Sequence, residues 1–169
     1  MRRLAVAVSV ALTLCATTTS SAQSTTGSRS SLSLAAGASF FDLYGTGVAP
    51  MAAVRGDLPL GSLFALDGGF VAAWPVEQFK SLHTMLIPEV GMELHLPARV
   101  APYLAADIGR AFAFRRSLLD GSDISYSAGL GTRVWMSERR GLVAEYRLRG
   151  MGQRFTGAEG ELTLGMVWR

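Results

Sequence analysis

From Ser31 to Arg169 apolar residues recur at every second position in one segment after another, and no window of about 11–18 residues holds a helical period. Leu32, Leu34, Ala36, Ala38 and Phe40 alternate with Ser31, Ser33, Ala35, Gly37 and Ser39. The same beat runs through Phe64, Leu66, Phe70, Ala72 and Trp74, and through Leu82, Leu86, Val90, Met92 and Leu94. It returns in Ile124, Tyr126, Ala128, Leu130 and Val134, in Leu142, Ala144, Tyr146 and Leu148, and in Leu162, Leu164, Met166 and Trp168. Weaker alternation sets Ala52 and Val54 opposite Met51, Arg55 and Asp57, and Leu104, Ala106, Ile108 and Phe112 opposite Asp107 and Gly109. Successive side chains of a strand point to opposite faces, so each segment has one apolar and one polar face. Eight strands are expected, at 31–42, 48–58, 62–74, 82–95, 101–113, 123–136, 141–149 and 160–169, and the fold class is all-β.

Charge placement bears on which face meets water. Arg55, Asp57, Asp67, Glu89, Glu93, Asp107, Asp123, Arg133, Glu145, Arg147, Arg149, Glu161 and Arg169 all fall on the less apolar face. Only Asp42 and Arg110 fall on the apolar one, both near a strand end. A soluble antiparallel sheet alternates too, so a soluble ligand-binding barrel is the alternative. Three features favour lipid outside. Gly37, Gly69, Gly91, Gly109, Gly129, Gly131 and Gly165 share the polar face, where small residues make room for Arg and Glu in the narrow interior of an eight-stranded barrel. Phe40, Phe64, Trp74, Phe112, Tyr126 and Trp168 are expected at strand ends, where interfacial girdles sit.

The third feature is the first segment. Met1-Arg2-Arg3, an apolar run from Leu4 to Leu14, and Ser20-Ser21-Ala22 have the layout of a secretory signal, with cleavage expected after Ala22. The run is too short to span a membrane as a helix. Leu14 precedes Cys15 where lipid attachment wants a small residue. Residues 1–22 are therefore read as signal peptide, 23–30 as a flexible segment and 31–169 as the barrel domain. Cleavage takes two arginines and the single cysteine, so the net charge of +3 falls by two to +1, and thiol chemistry goes with it. The basic residues are too few and scattered for a nucleic-acid binder. With the N-terminus in the periplasm, turns 59–61, 96–100 and 137–140 lie inside, and 43–47, 75–81, 114–122 and 150–159 lie outside.

Pro102-Tyr103-Leu104-Ala105-Ala106-Asp107-Ile108-Gly109, Ala128-Gly129-Leu130-Gly131-Thr132-Arg133 and Gly141-Leu142-Val143-Ala144-Glu145-Tyr146-Arg147 resemble segments of the small eight-stranded outer-membrane barrels of OmpA/OmpX type. The likeness covers about 23–169. It implies an antiparallel up-and-down transmembrane barrel of the bacterial outer membrane. Leu162, Leu164, Met166 and Trp168 resemble that family's C-terminal assembly signal, except that the chain ends in Arg169 instead of an aromatic. The implied partners are outer-membrane lipid, lipopolysaccharide and the barrel-assembly machinery, with the chain acting as a monomer. The family includes structural barrels, adhesion and resistance proteins, and a few lipid-modifying enzymes.

A lone buried charge is costly, so the inward ions are expected to pair. An ionic network of Arg55, Asp67, Glu89, Glu93, Asp107, Arg133, Glu145, Arg147, Arg149 and Glu161 is expected to fill the lumen and exclude a wide pore. Arg110, Arg115 and Arg116 could hold lipopolysaccharide phosphates through charge-assisted hydrogen bonds. Catalytic, cofactor and metal sites are not expected: the chain has two histidines and no phosphate-binding loop. His83, with Ser81 and Glu77 close in sequence, is the alternative, a lipid hydrolase centre. His95 has no partner evident in the sequence. The reading is an outer-membrane barrel with a structural or surface-interaction role.

Overall fold

The structure, a computed structural model, describes residues 29–42, 46–74, 83–115, 118–152 and 157–169. The expected signal peptide lies outside them. The strands are β1 (Ser31–Asp42), β2 (Thr46–Pro59), β3 (Phe64–Ala73), β4 (His83–His95), β5 (Val100–Arg115), β6 (Leu118–Trp135), β7 (Arg140–Met151) and β8 (Gly157–Trp168). Each pairs antiparallel with the next, and β8 pairs with β1 to close a barrel. Closure pairs the sheet edges, which hydrocarbon could not solvate.

The register fixes the tilt. Ser31 pairs with Asp57, Asp57 with Asp67, Asp67 with Gly91, and Gly91 with Asp107. The row continues through Ser127, Arg149 and Glu159 and meets β1 again at Phe41. A circuit begun at residue 31 thus returns at residue 41, ten residues further along. Such a stagger sets the strands roughly 35–45° from the barrel axis.

Apolar side chains cover the outside of every strand. Leu34, Val54, Phe70, Val90, Ile108, Leu130, Leu148 and Leu164, one from each strand in order, are all exposed. Their sequence neighbours Ala35, Arg55, Val71, Glu89, Asp107, Arg147 and Thr163 are buried inside. A soluble barrel would bury the first set and expose the charges, so the soluble alternative is set aside.

The interior is layered. Met51, Ala53, Val71, Ala73, Ile87, Ala111 and Met151 form an apolar cluster, with Met85 against it, toward the end where β1 finishes and β2 begins. Ala35, Tyr103, Ala105, Trp135, Val143 and Val167 form another toward the end that carries residues 29 and 169. Charged side chains fill the space between and beside them: Arg133 stands across from Val143, and Glu93 from Ala105.

Inward glycines make this possible, each in cross-strand pairing with a large inward residue. Gly69 pairs with Arg55, Gly91 with Asp107, Gly109 with Glu89, and Gly129 with Arg147. A Cβ on Gly91 would lie 2.3 Å from Asp107 Oδ1, and one on Gly129 would lie 3.1 Å from Arg147 Nε. On the closing seam a Cβ on Gly165 would collide with the Leu34 carbonyl oxygen, and one on Gly37 would sit closer still to the Leu162 carbonyl oxygen. Gly165→Ala is therefore expected to cost roughly 1–3 kcal/mol, read by urea unfolding in lipid vesicles. Gly61→Ala, in a turn with nothing within 4 Å of the added Cβ, should leave the midpoint unchanged.

Three sequence expectations need correction. The turn expected at 114–122 is mostly strand, because β5 runs to Arg115 and β6 starts at Leu118. Opposite Ala113 and Phe114 the pairing skips Asp120 of β6, and this extra residue breaks the period-two beat of β6 and hides the pairing. Tyr126 is consequently well inside β6, not at its end, and its ring covers Gly150 of β7. The last outer turn is also shorter than 150–159, since β7 reaches Met151 and β8 begins at Gly157.

Candidate functional site: the charged lumen

Alternation carries the charges inward, and the cross-strand glycines leave them room to meet. Arg147, on β7, is 1% exposed and is the hub. Its guanidinium pairs with Asp107 and donates to Ser127 Oγ at 3.0 Å. It also grips Glu145 from Nε and Nη2, at 3.0 and 3.2 Å. Arg149, two residues on and so on the same face, binds Glu161 at 2.6 and 3.3 Å. Its Nη1 lies 2.9 Å from Glu89 Oε2. Arg55 reaches from β2 to join these groups, with Glu89 at 3.0 Å, Glu145 at 3.1 Å and Glu161 at 3.9 Å.

A second knot lies nearer the terminal end. Arg133 holds Glu93 through two bonds of 2.6 Å, the fork-to-fork geometry that suits a guanidinium and a carboxylate. The same guanidinium lies 3.4 Å from Asp57 Oδ1 and 4.5 Å from the Tyr103 ring centroid. Tyr103 donates to Glu145 Oε2 at 2.8 Å, which links the two knots. Asp67 is held most loosely, with Arg147 Nη2 at 3.8 Å.

All ten residues assigned to a lumen network are thus buried and brought together. Asp57, Glu159 and Tyr103 join them in the lumen. Asp57 accepts from Ser31 Oγ, and Glu159 from Ser39 Oγ at 2.9 Å. Glu159 falls within the turn expected at 150–159, where alternation gives no sign of an inward residue, and the structure places it in β8. Tyr103 shares the inward parity of Asp107, which was the available signal. His95 does have a neighbour, with Nδ1 3.2 Å from Glu93 Oε1. Counted among the described residues, four buried guanidiniums face eight buried carboxylates.

Other candidates are less assembled. Arg110 is outward and exposed, and donates to Ser122 Oγ at 3.0 and 3.2 Å. Arg115 is the last residue of β5, and Arg116 lies outside the described residues. His83 begins β4, while Ser81 and Glu77 lie outside the described residues. Among the described residues no cluster of His, Cys, Asp and Glu has metal-binding geometry. In the proposed assembly strand, Leu162, Leu164 and Met166 are exposed on the outer face, and Trp168 pairs with both Leu32 and Arg140. Arg169 stacks on the Trp135 ring, 3.8 Å from its centroid.

A closed eight-stranded barrel with an apolar exterior and an ionic interior is a transmembrane β-barrel of the outer-membrane kind. No family model matches the sequence, and no curated protein does either. Solved structures do match in fold. Neisserial surface protein A (NspA) superposes with a TM-score of 0.72 at 13% identity, over 82% of this chain and 96% of that one. Ail, the attachment invasion locus protein of Yersinia pestis, gives 0.58 at 15% identity, over 82% and 96%. The outer membrane enzyme PagL gives 0.54 at 16% identity, over 80% and 97%.

Proposed function

We propose that this protein is an integral barrel of the bacterial outer membrane with a structural or surface-interaction role, and that its lumen does not conduct. The filled interior carries the reading. The cavity among Arg55, Asp67, Glu93, Tyr103, Arg133 and Glu145 measures about 10 Å³, room for about one water. Apolar clusters lie toward both ends of the ionic layer. In this reading the chain is exported, the described termini face the periplasm and the long loops face outward. Leu162, Leu164, Met166 and Trp168 are offered to the assembly machinery, and Arg110 meets lipopolysaccharide. The names of the Neisserial and Yersinia proteins, a surface protein and an attachment protein, support a role at the cell surface.

The likeness to an outer membrane enzyme supports a second reading, a lipid hydrolase centred on His83. Planar-bilayer recording tests the first: the purified barrel is expected to give no discrete conductance steps, and reproducible steps would overturn the closed lumen. Lipid acyl analysis of cells carrying His83→Ala tests the second. The expected result is an unchanged profile, and an altered one would shift the assignment to the enzyme.

A further inference from the structure

The arginines outside the lumen are not spread evenly. Arg29 precedes β1, Arg99 is in the β4–β5 turn, Arg139 and Arg140 lie at the β6–β7 turn, and Arg169 follows β8. All five stand at the end of the barrel where β1 begins and β8 finishes. Backbone bonds tie them into one arc. Arg169 N–H donates to the Arg139 carbonyl at 3.1 Å, Trp135 N–H donates to the Arg99 carbonyl at 2.9 Å, and Arg140 pairs with Trp168. Arg29, Arg99, Arg139 and Arg140 are exposed, and among the described residues none has a carboxylate within ion-pair distance. Glu138 is the lone acid in these turns. The lumen guanidiniums, by contrast, are all paired.

The rest of this rim is different. The β2–β3 turn, Leu60-Gly61-Ser62-Leu63, carries no charge, and both leucines are exposed. The basic residues thus cover the rim from the β4–β5 turn through the β6–β7 turn to β8 and β1, and leave only the β2–β3 turn bare. Exposed apolar side chains are interleaved with its arginines: Leu96, Val100, Val134, Met136 and Leu142. Such a rim sits where hydrocarbon ends and head groups begin, which places guanidiniums without carboxylate partners at the depth of lipid phosphates; Arg99 Nε also donates to the Trp135 carbonyl at 3.3 Å. Guanidinium forks bind phosphate oxygens in pairs, and each basic residue near an anionic surface adds about 1 kcal/mol.

We propose that this arginine arc binds anionic glycerophospholipid head groups of the periplasmic leaflet, everywhere on this rim except beside the β2–β3 turn. The proposal rests on the membrane-barrel reading with the termini in the periplasm. Full mature chain in phosphatidylcholine nanodiscs, with trace spin-labelled phosphatidylglycerol or phosphatidylcholine, tests it through the motionally restricted lipid fraction. The expected preference for phosphatidylglycerol is at least about fivefold, the effect of one well-placed guanidinium. It should vanish in R99Q/R139Q/R140Q and persist in R99K/R139K/R140K. Equal restriction of the two lipids by the native barrel, or a preference surviving in the glutamine variant, overturns the arc. Co-sedimentation with purified sacculi that needs these arginines, beside an unchanged lipid preference, overturns it in favour of peptidoglycan. Heat-modifiable migration of the same samples separates the two failures: no inserted barrel rejects the membrane reading, while an inserted barrel without preference rejects only the arc.

Discussion

Arg147→Met is expected to cost the barrel about 3–5 kcal/mol, the penalty for stranding buried charge, or to prevent folding outright. Arg147 is buried against Asp107, Glu145 and Ser127, with Glu89 3.8 Å away. Carboxylates already outnumber guanidiniums eight to four, so the loss leaves eight against three. Asp67→Asn moves the balance the other way, to seven against four, and gives up one contact of 3.8 Å. That variant should stay within about 1 kcal/mol of the native barrel. Urea unfolding in lipid vesicles, followed by tryptophan fluorescence, reads both. Equal penalties would mean that lumen volume, not charge pairing, holds the strands together.

The second large effect lies on β8, between neighbours. Leu164 is 64% exposed on the outer face and Thr163 is 3% exposed in the lumen. Leu164→Lys puts an ammonium into hydrocarbon near the middle of the strand, at roughly 2–4 kcal/mol. Single cysteines report the geometry without a stability measurement, since the chain from Gln23 onward has none. A fluorophore on Leu164→Cys should be quenched by brominated lipid. Thr163→Cys should resist labelling until the barrel is unfolded, because it faces a cavity of about 10 Å³. Labelling of both positions in the folded state would reverse the assignment of faces.

Both predictions depend on a parity that is plain in the residues. A strand's period is two, so one charged position, such as Glu145, sets the direction of every side chain from Arg140 to Met151. That is why strand number, faces and the inward charges could be read without coordinates. Strand ends could not, because side chains at a membrane rim meet both water and lipid and need no alternation. The extra residue of β6 opposite Ala113 and Phe114 then shifts the parity of that strand itself. Partners within the lumen were also illegible. Alternation says that Arg55 points inward, but only the ten-residue stagger decides that it reaches Glu89, Glu145 and Glu161 across the barrel. The outer-loop candidates depend on residues 75–82, 116–117 and 153–156, and loop positions carry no periodic signal at all.

The pairing of lumen charges with glycines constrains how such a protein can change over time. Arg55 stands across from Gly69, Asp107 from Gly91, Glu89 from Gly109 and Arg147 from Gly129. Replacing the glycine first collides with the ion, and removing the ion first strands its counter-charges, so either single step lowers fitness by way of the fold. The inherited unit is then the pair, and neighbouring pairs share carboxylates such as Glu89 and Glu145. A lineage carrying this interior is held away from gradual conversion into a channel, while its loops and outer surface remain free to diverge.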